Sequence, residues 1–341
     1  MILLMNNVSL FFSVIIPVYN RPNEVQELLE SLEKQSNKNF EVIIIEDGSE
    51  EDCKAIVAAF SDRLKIVYKY KPNSGPGDSR NVGMTLANGD YFIFFDSDCI
   101  IPSDYFSKLE MFLLNNPLDT FGGPDGASPN FTNIQKAINY SMTSVLTTGG
   151  IRGKKNKLDQ YQPRSFNMGI HRKVYETVGG FGDIHPGEDP DLSYRIMNAG
   201  FQVGLIENAV VYHKRRIDFR KFVKQVYKFG VVRVILMKWY PDKTKMTYFF
   251  PSLFLLASIT SIILYFISFE WVVFTIPIIG FVFFIDAFIK TKSLSIAVLS
   301  IFSSFIQLYG YGYGFLKSFL LISIARKEER HVFPTFFYRK S

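Results

Sequence analysis

Tyr91–Asp98, YFIFFDSD, is the stretch whose reading decides the fold. Five apolar or aromatic residues run without polar alternation into two carboxylates separated by one serine. An apolar run this short and unbroken predicts a strand buried on both faces of a sheet. Asp96 and Asp98 then stand at its carboxyl end, the edge at which open α/β sheets bind ligands. In an extended segment residues two apart point the same way, so both carboxylates are expected to face one site. Hard oxygen donors of this kind hold Mg²⁺ or Mn²⁺ and leave positions for phosphate oxygens. Taken alone, D-S-D equally fits a solvated acidic turn. The flanking chain has to decide.

Upstream, Phe11–Val18 (FFSVIIPV) is another buried-strand run, ending at Pro17, Tyr19 and Asn20. Asn23–Gln35 follows with Val25, Leu28, Leu29 and Leu32 at helical spacing. Phe40–Ile45 reads as a strand that ends in Glu46, Asp47, Gly48 and Ser49. Cys53–Phe60 reads as helix, Leu64–Tyr68 as strand, and Gly77–Ala87 as a helix entered through a glycine-rich turn. This alternation predicts a mostly parallel sheet with right-handed crossovers. Polar or acidic residues end three of the strands, which makes the carboxyl edge a site.

Two of these clusters have bland readings beside functional ones. Glu46–Ser49 fits a turn capped by Ser49, or a set of acceptors for a nucleobase or ribose. Lys71–Asn81 (KPNSGPGDSRN) fits a loop and helix cap. The same glycines at a helix N-terminus, followed by Arg80, suit a diphosphate through backbone N–H groups and a guanidinium. The stretch is neither G-x-G-x-x-G nor a Walker A loop, because no G-K-[ST] follows.

Taken together, FSVIIPVYNRP, VIIIEDGS, GPGDSRNVGM and YFIFFDSD resemble, in order and separation, the family 2 glycosyltransferases of GT-A fold. The resemblance implies a Rossmann-like catalytic domain and a nucleotide-sugar donor. It implies that Pro17, Tyr19, Glu46 and Asp47 lie at the base and ribose, Arg80 near the diphosphate, and Asp96 with Asp98 at the metal. Glu46 stands where the family often has Asp.

Further along, Phe121–Asn130 reads as loop and Thr147–Gln162, polar, basic and glycine-bearing, as a mobile segment that is either a lid or an idle loop. Phe166–Ile170 reads as a short strand, with a helix from Lys173. In Gly187–Gly200 (GEDPDLSYRIMNAG), Pro190 suits the first turn of a helix with Asp189 at or near its cap. A carboxylate there serves as cap and dipole partner or as a catalytic group. The resemblance implies the second: Asp189 takes the proton of the attacking acceptor hydroxyl, with Glu188 as the lesser candidate, and transfer inverts the anomeric centre. The stretch from Asn167 to Arg195 also resembles the C-terminal part of galactosyltransferase-type domains. Phe201–Ile206 and Ala209–His213 are expected to complete the sheet edge. His213 resembles a third metal ligand or diphosphate contact of some GT-A enzymes. His171 and His185 receive no role, and Cys99 reads as a small buried hydrophobe.

Charge and hydropathy divide the rest of the chain. Lys214–Lys245 carries eleven lysines and arginines against two aspartates, whereas the whole 341-residue chain is only +6. Phe219, Phe222, Val223, Val226 and Tyr227 recur at helical spacing among the basic residues, the pattern of a helix lying in an anionic membrane surface. Tyr248–Phe269, Trp271–Ile289 and Ser293–Leu316 are then long and apolar enough to span a bilayer. The basic stripe puts the preceding domain in the cytoplasm. Three spans would leave the basic segment Arg326–Ser341 outside, although its charge favours inside. Two cysteines without framework spacing fit a reducing compartment, and MILLMNNVSLFF does not read as a signal peptide.

The expected organisation is an α/β GT-A domain over 1–213, a basic interfacial helix over 214–245, membrane helices over 246–325 and a basic segment over 326–341. The expected protein is a multi-pass inner-membrane glycosyltransferase using Mn²⁺ or Mg²⁺. It would act on a membrane-held, polyprenyl-linked glycan in envelope polysaccharide synthesis, with no nucleic-acid partner. Rival readings are a polyprenyl-phosphate monosaccharide synthase and a non-catalytic membrane scaffold of the same fold. A processive synthase is disfavoured because no Q-x-x-R-W motif is present.

Overall fold

The apolar runs become the centre of a mixed sheet, as burial on both faces requires. The structure, a computed structural model, describes residues 9–126, 131–148, 161–213, 218–267 and 269–338. By its contacts the chain divides into two units. The first holds residues 1–128, 160–214 and 335–341, and the second holds 129–159 and 215–334.

In the first unit the chain runs β1 (Phe12–Val18), α1 (Pro22–Glu33), β2 (Phe40–Asp47), α2 (Lys54–Ala58), β3 (Ile66–Lys71) and α3 (Pro76–Leu86). It continues through β4 (Tyr91–Phe95), β5 (Cys99–Ile100), α4 (Tyr105–Asn115), β6 (Thr120–Gly122) and β7 (Asp125–Gly126). Helices α5 (Asn133–Thr143) and α6 (Val145–Thr148) belong to the second unit. The first unit resumes with β8 (Asn167–His171), α7 (Arg172–Val178), α8 (Glu188–Asn198), β9 (Val203–Leu205) and β10 (Val211–His213).

The main sheet has the order β3-β2-β1-β4-β8-β6-β9. Strands β3, β2, β1 and β4 pair in parallel, β8 is antiparallel to both β4 and β6, and β9 is parallel to β6. Every residue of β2 and β4 is buried, which explains why neither strand alternates in sequence. On one face Phe12, Val14, Ile16, Val42, Ile44, Ile93 and Phe95 pack against Val25, Leu28, Leu29 and Leu32 of α1 and Phe106 and Leu109 of α4. On the other, Ile15, Ile43, Phe92 and Phe94 meet Met84 of α3 and Leu192 and Ile196 of α8. The sheet is thus covered on both sides and offers ligands only its edges and ends.

Three expectations need correction. Residues 120–126 contain β6 and β7, not a continuous loop. Ala209–His213 does not extend the main sheet: β10 lies between β5 and β7 in a separate three-stranded sheet. Asp96–Asp98 is not extended either. The Cys99 N–H donates to the Asp96 carbonyl at 3.1 Å, closing a turn. The proposed lid falls on residues of which 149–160 lie outside the described ones.

The second unit adds α9 (Phe219–Trp239), α10 (Phe250–Phe266), α11 (Thr275–Thr291), α12 (Leu294–Ser318) and α13 (Glu329–Val332). Asp218 caps α9 by accepting from the Lys221 N–H at 2.7 Å. Among the described residues three helices are long and apolar enough to cross a membrane: Met246–Phe266, Trp271–Thr291 and Leu294–Ile324, with mean hydropathies of 2.0, 2.5 and 1.5. The YGYGYG run explains how α12 packs. A Cβ on Gly310 or Gly314 would strike Val226 or Tyr227 of α9, and one on Gly312 would strike Pro251 of α10. Small residues on α12 therefore let two helix backbones approach it, as apolar helices without a hydrophobic driving force require. Asp286 of α11 accepts from Tyr140 at 2.6 Å and from Lys290 at 2.7 Å, so it holds this unit together.

Candidate active site at the sheet's carboxyl edge

The exits of β1 and β2 are laced together. Asn20, at φ 51°, donates its N–H to Ser49 Oγ at 2.7 Å and accepts from the Glu50 N–H at 2.8 Å. Pro17 is the penultimate residue of β1 and Tyr19 beyond it is half exposed, so both are available to a flat ligand.

Neither Glu46 nor Asp47 lies open. Glu46 is fully buried and accepts from Ser49, from the Cys53 N–H at 2.9 Å and from Cys53 Sγ at 3.0 Å. Asp47 is 3% exposed and has both oxygens engaged: Oδ1 with the Ser74 N–H at 2.9 Å and Lys71 Nζ at 2.5 Å, Oδ2 with the Gly75 N–H at 2.9 Å. The two carboxylates shape the edge from beneath. Asp47 in particular fixes the turn that leads into α3, where Gly75 takes φ +94° as its N-cap.

Arg80, on α3, is the centre of the site. Its side chain is almost wholly buried, yet Nε and Nη1 have no hydrogen-bond partner. Nη2 donates to Asp96 Oδ1 at 2.8 Å, Nη1 stands 3.8 Å from Glu188 Oε1, and the guanidinium covers the Phe181 ring. A buried guanidinium with idle N–H groups is costly unless an acceptor completes it. That makes it a place for an anion. Asp98 pairs with Arg21 at 2.6 Å. The turn therefore aims the two carboxylates at different arginines, and the same-face argument from an extended strand does not hold.

Glu188 and Asp189 open α8 behind the Gly187 N-cap. His185 Nδ1 lies 2.9 Å from Glu188 Oε1. Burial pushes Glu188 up, but the hydrogen bond and charge of His185, with the charge of Arg80, bring it below the usual carboxylate range. Asp189 behaves oppositely. Burial, then the neighbouring Glu188 charge, raises it to about 6. Its Oδ2 accepts from the Ser165 N–H at 3.1 Å, and its buried Oδ1 has no hydrogen-bond partner. A buried carboxylate with a raised proton affinity and an oxygen without a hydrogen-bond partner is the kind of group that can take up a proton near neutral pH.

The structure thus brings Arg80, Asp96, Glu188 and Asp189 together, with Asp47 supporting the turn beside them. His213 pairs with Cys99 through β10 and β5, but its side chain lies outside the described residues. Among the described residues no cluster of three or more His, Cys, Asp or Glu side chains forms a ready metal cage. Asp96 and Asp98 are carboxylates of the kind that can ligate Mg²⁺ or Mn²⁺ when phosphate oxygens complete the shell, although here each faces its own arginine. Sequence reasoning missed Arg21, Lys71 and His185. For His185 the signal was present: it precedes Glu188 by three residues, a spacing that lets side chains meet across a turn. Arg21 and Lys71 come from strand exits brought together only by the fold.

A doubly covered sheet whose carboxyl edge gathers acidic turns around a buried arginine places the first unit in the GT-A class. The profile of Glycosyl transferase family 2 matches residues 13–179, and this stretch is a domain of that family. An uncharacterized glycosyltransferase of Rickettsia bellii is 43% identical over 99 residues, 29% of this chain and 14% of that protein. The chain thus spans only a small part of that relative. An uncharacterized glycosyltransferase of Haemophilus influenzae is 43% identical over 193 residues, 54% of this chain and 61% of that protein. Glycosyltransferase AglE of Haloferax volcanii is 25% identical over 237 residues, 64% of this chain and 72% of that protein. Among solved structures, the mannosyltransferase PcManGT of Pyrobaculum calidifontis, in complex with GDP-Man and Mn²⁺, covers 96% of this chain and 88% of its own. Its TM-score is 0.56 and its identity 16%, a likeness of fold.

Proposed function

We propose that the protein is a membrane-bound, inverting glycosyltransferase that moves a sugar from a nucleoside-diphosphate donor to an acceptor held at the membrane. The observation that carries this reading is Arg80. It is a buried guanidinium with N–H groups to spare, set between the Asp96 turn on one side and the Glu188–Asp189 pair on the other. A diphosphate at Arg80 puts its leaving oxygen beside a cation, and the sugar then extends toward Asp189.

In this reading Pro17 and Tyr19 receive the base, while Glu46 and Asp47 act by holding the β2 exit and the turn into α3. Asp189 removes the proton of the acceptor hydroxyl. The oxygen attacks the anomeric carbon from the face opposite the diphosphate, and the bond to the diphosphate oxygen breaks as the new C–O bond forms. The nucleoside diphosphate leaves with the electron pair, its charge met by Arg80, and Asp189 passes its proton to solvent. Asp96 and Asp98, with His213 as third ligand, would hold Mn²⁺ or Mg²⁺, which would supply further charge neutralisation to the leaving group.

The apolar helices and the basic face of α9 support an acceptor that resides in the bilayer, for which a polyprenyl-linked glycan of the cell envelope is the economical choice. The same basic stripe supports a cytoplasmic face for the catalytic unit in an inner membrane. The test is donor turnover by detergent-purified protein across a panel of nucleotide sugars, with Mn²⁺, Mg²⁺ or EDTA. Metal-dependent release of one nucleoside diphosphate supports the reading. Absence of both turnover and nucleotide binding across the panel would return the chain to a scaffold.

A further inference from the structure

The segment that follows the apolar helices comes back to the catalytic unit. Thr335–Tyr338 belongs to that unit by its contacts. It is held along residues 183–185: His185 N–H donates to the Phe336 carbonyl at 2.8 Å, and Tyr338 N–H donates to the Asp183 carbonyl at 2.9 Å. Ile184 and Phe337 pair in antiparallel fashion between them. This short ladder ends within three residues of Glu188. Phe336, buried to 5% exposure, anchors it.

The ladder places one side chain in the site. The Tyr338 ring lies against the Cα of Gly75, so that a Cβ at position 75 would run into its ring carbons. It also faces the His185 ring, with centroids 5.7 Å apart. Gly75 caps α3, the helix that carries Arg80, and its N–H is fixed by Asp47. Tyr338 therefore stands between the turn assigned to the diphosphate and the His185–Glu188 pair. Gly75 thereby has two reasons to be glycine: its φ of +94° and the aromatic ring where a side chain would go.

We propose that Tyr338 is a donor-binding residue: its ring walls the Gly75–Arg80 turn and its phenol donates a hydrogen bond to the diphosphate of the bound nucleotide. The proposal rests on the reading of that turn as the diphosphate site. Burial, then the charges of Glu188 and Asp47, push the phenol above its ordinary range, so it stays protonated and remains a donor. A neutral donor suits this place, where Arg80 already carries the cationic charge. The backbone ladder makes the ring a fixture of the folded site, because its position is set by paired main-chain groups and not by side-chain packing alone.

The experiment uses the full chain in detergent and measures binding of UDP and GDP by calorimetry. Donor KM and kcat are then measured on the donor that the panel identifies. Tyr338→Phe keeps the wall and removes the hydroxyl; it is expected to weaken diphosphate binding and raise donor KM by about tenfold, with kcat and acceptor KM little changed. Tyr338→Ala is expected to lose more on the same two measures. Unchanged donor KM and nucleotide affinity in Tyr338→Phe would overturn the hydrogen bond, and tighter binding in either variant would identify the ring as a plug instead. Arg80→Ala is the reference. If it weakens nucleotide binding while both Tyr338 variants bind as the unaltered chain does, the Tyr338 proposal alone fails. If Arg80→Ala also leaves binding intact, the assignment of the turn fails, and the proposal with it. Should Tyr338→Ala not fold, Tyr338→Phe still decides the matter.

Discussion

Glu188 and Asp189 are neighbours in one helical turn, and their environments drive them apart. Arg80 and His185 hold the first ionised, whereas burial and then the Glu188 charge outweigh Arg80 at the second and lift it to about 6. Divergence of this sort separates a structural charge from a working base. Two expectations follow. Asp189→Asn should lower kcat by about a hundredfold or more, the usual worth of a positioned base, while nucleotide affinity measured by calorimetry stays nearly intact. Equal loss of both would undo the assignment. In the unaltered protein kcat/KM should rise with pH through about 6 and level off above it, because the base must be ionised to act and its folded value lies above that of a free aspartate. That limb should be absent from the residual activity of Asp189→Asn. Asp98→Ala should weaken Mn²⁺-dependent donor binding, and unchanged affinity with and without EDTA would remove it from the metal. The chemistry of single residues was partly legible. Arg80 and the E-D pair announce themselves through position and neighbours. The unlike environments of Glu188 and Asp189 do not, because they depend on Ser165, His185 and Arg80 arriving from three other segments.

Elements were more legible than residues wherever burial sets the pattern. β1, β2 and β4 are unbroken apolar runs because both faces of the sheet are covered, and they were read within a residue or two. β6 and β7 escape a sequence reading because strands of two or three residues carry no period and Gly122, Gly123 and Pro124 look like a turn, whereas β10 is legible as a strand and only its sheet is not. Function also acts through elements, as the β2 exit shows. Glu46 is fully buried and accepts the Cys53 N–H, so Glu46→Ala leaves that donor without a partner. It should cost about 1–3 kcal/mol in a thermal or denaturant melt of the chain. Nucleotide affinity should fall only as the turn loosens, and Glu46→Gln should recover most of the stability. A melt unchanged by Glu46→Ala would mean the cluster around Cys53 reorganises freely. In α12, Gly314→Leu should prevent the approach of α9 at Tyr227 and cost about 1–3 kcal/mol as overpacking. Size-exclusion behaviour and melting of the detergent-solubilised protein would register it, and an unaltered profile would show that the helices do not need the close contact.

At the scale of the whole molecule, the change from α/β sequence to apolar helices is plain in hydropathy and charge, but the grouping of residues 129–159, with α5 and α6, into the helical unit is not. The return of Thr335–Tyr338 to the catalytic unit had no such signal; Phe-Pro-Thr-Phe-Phe-Tyr is only an aromatic stretch until the fold supplies Asp183 and His185 as its partners. That return imposes a rule of parity. If the apolar helices cross a bilayer, a chain that leaves this unit before them and rejoins it at Thr335–Tyr338 crosses an even number of times. Among the described residues three helices are apolar enough to cross, so even parity predicts that one of them lies within a single leaflet or turns back before the far side. Single cysteines at Asn198 and Thr335, introduced where native Cys53 and Cys99 are both buried, should react with an impermeant maleimide from the same side of sealed vesicles. Labelling from opposite sides would break the parity and detach the segment from its ladder. Labelling from one side would place the basic residues after the last apolar helix and those before the first under one charge rule, and would remove the conflict between three spans and a basic ending.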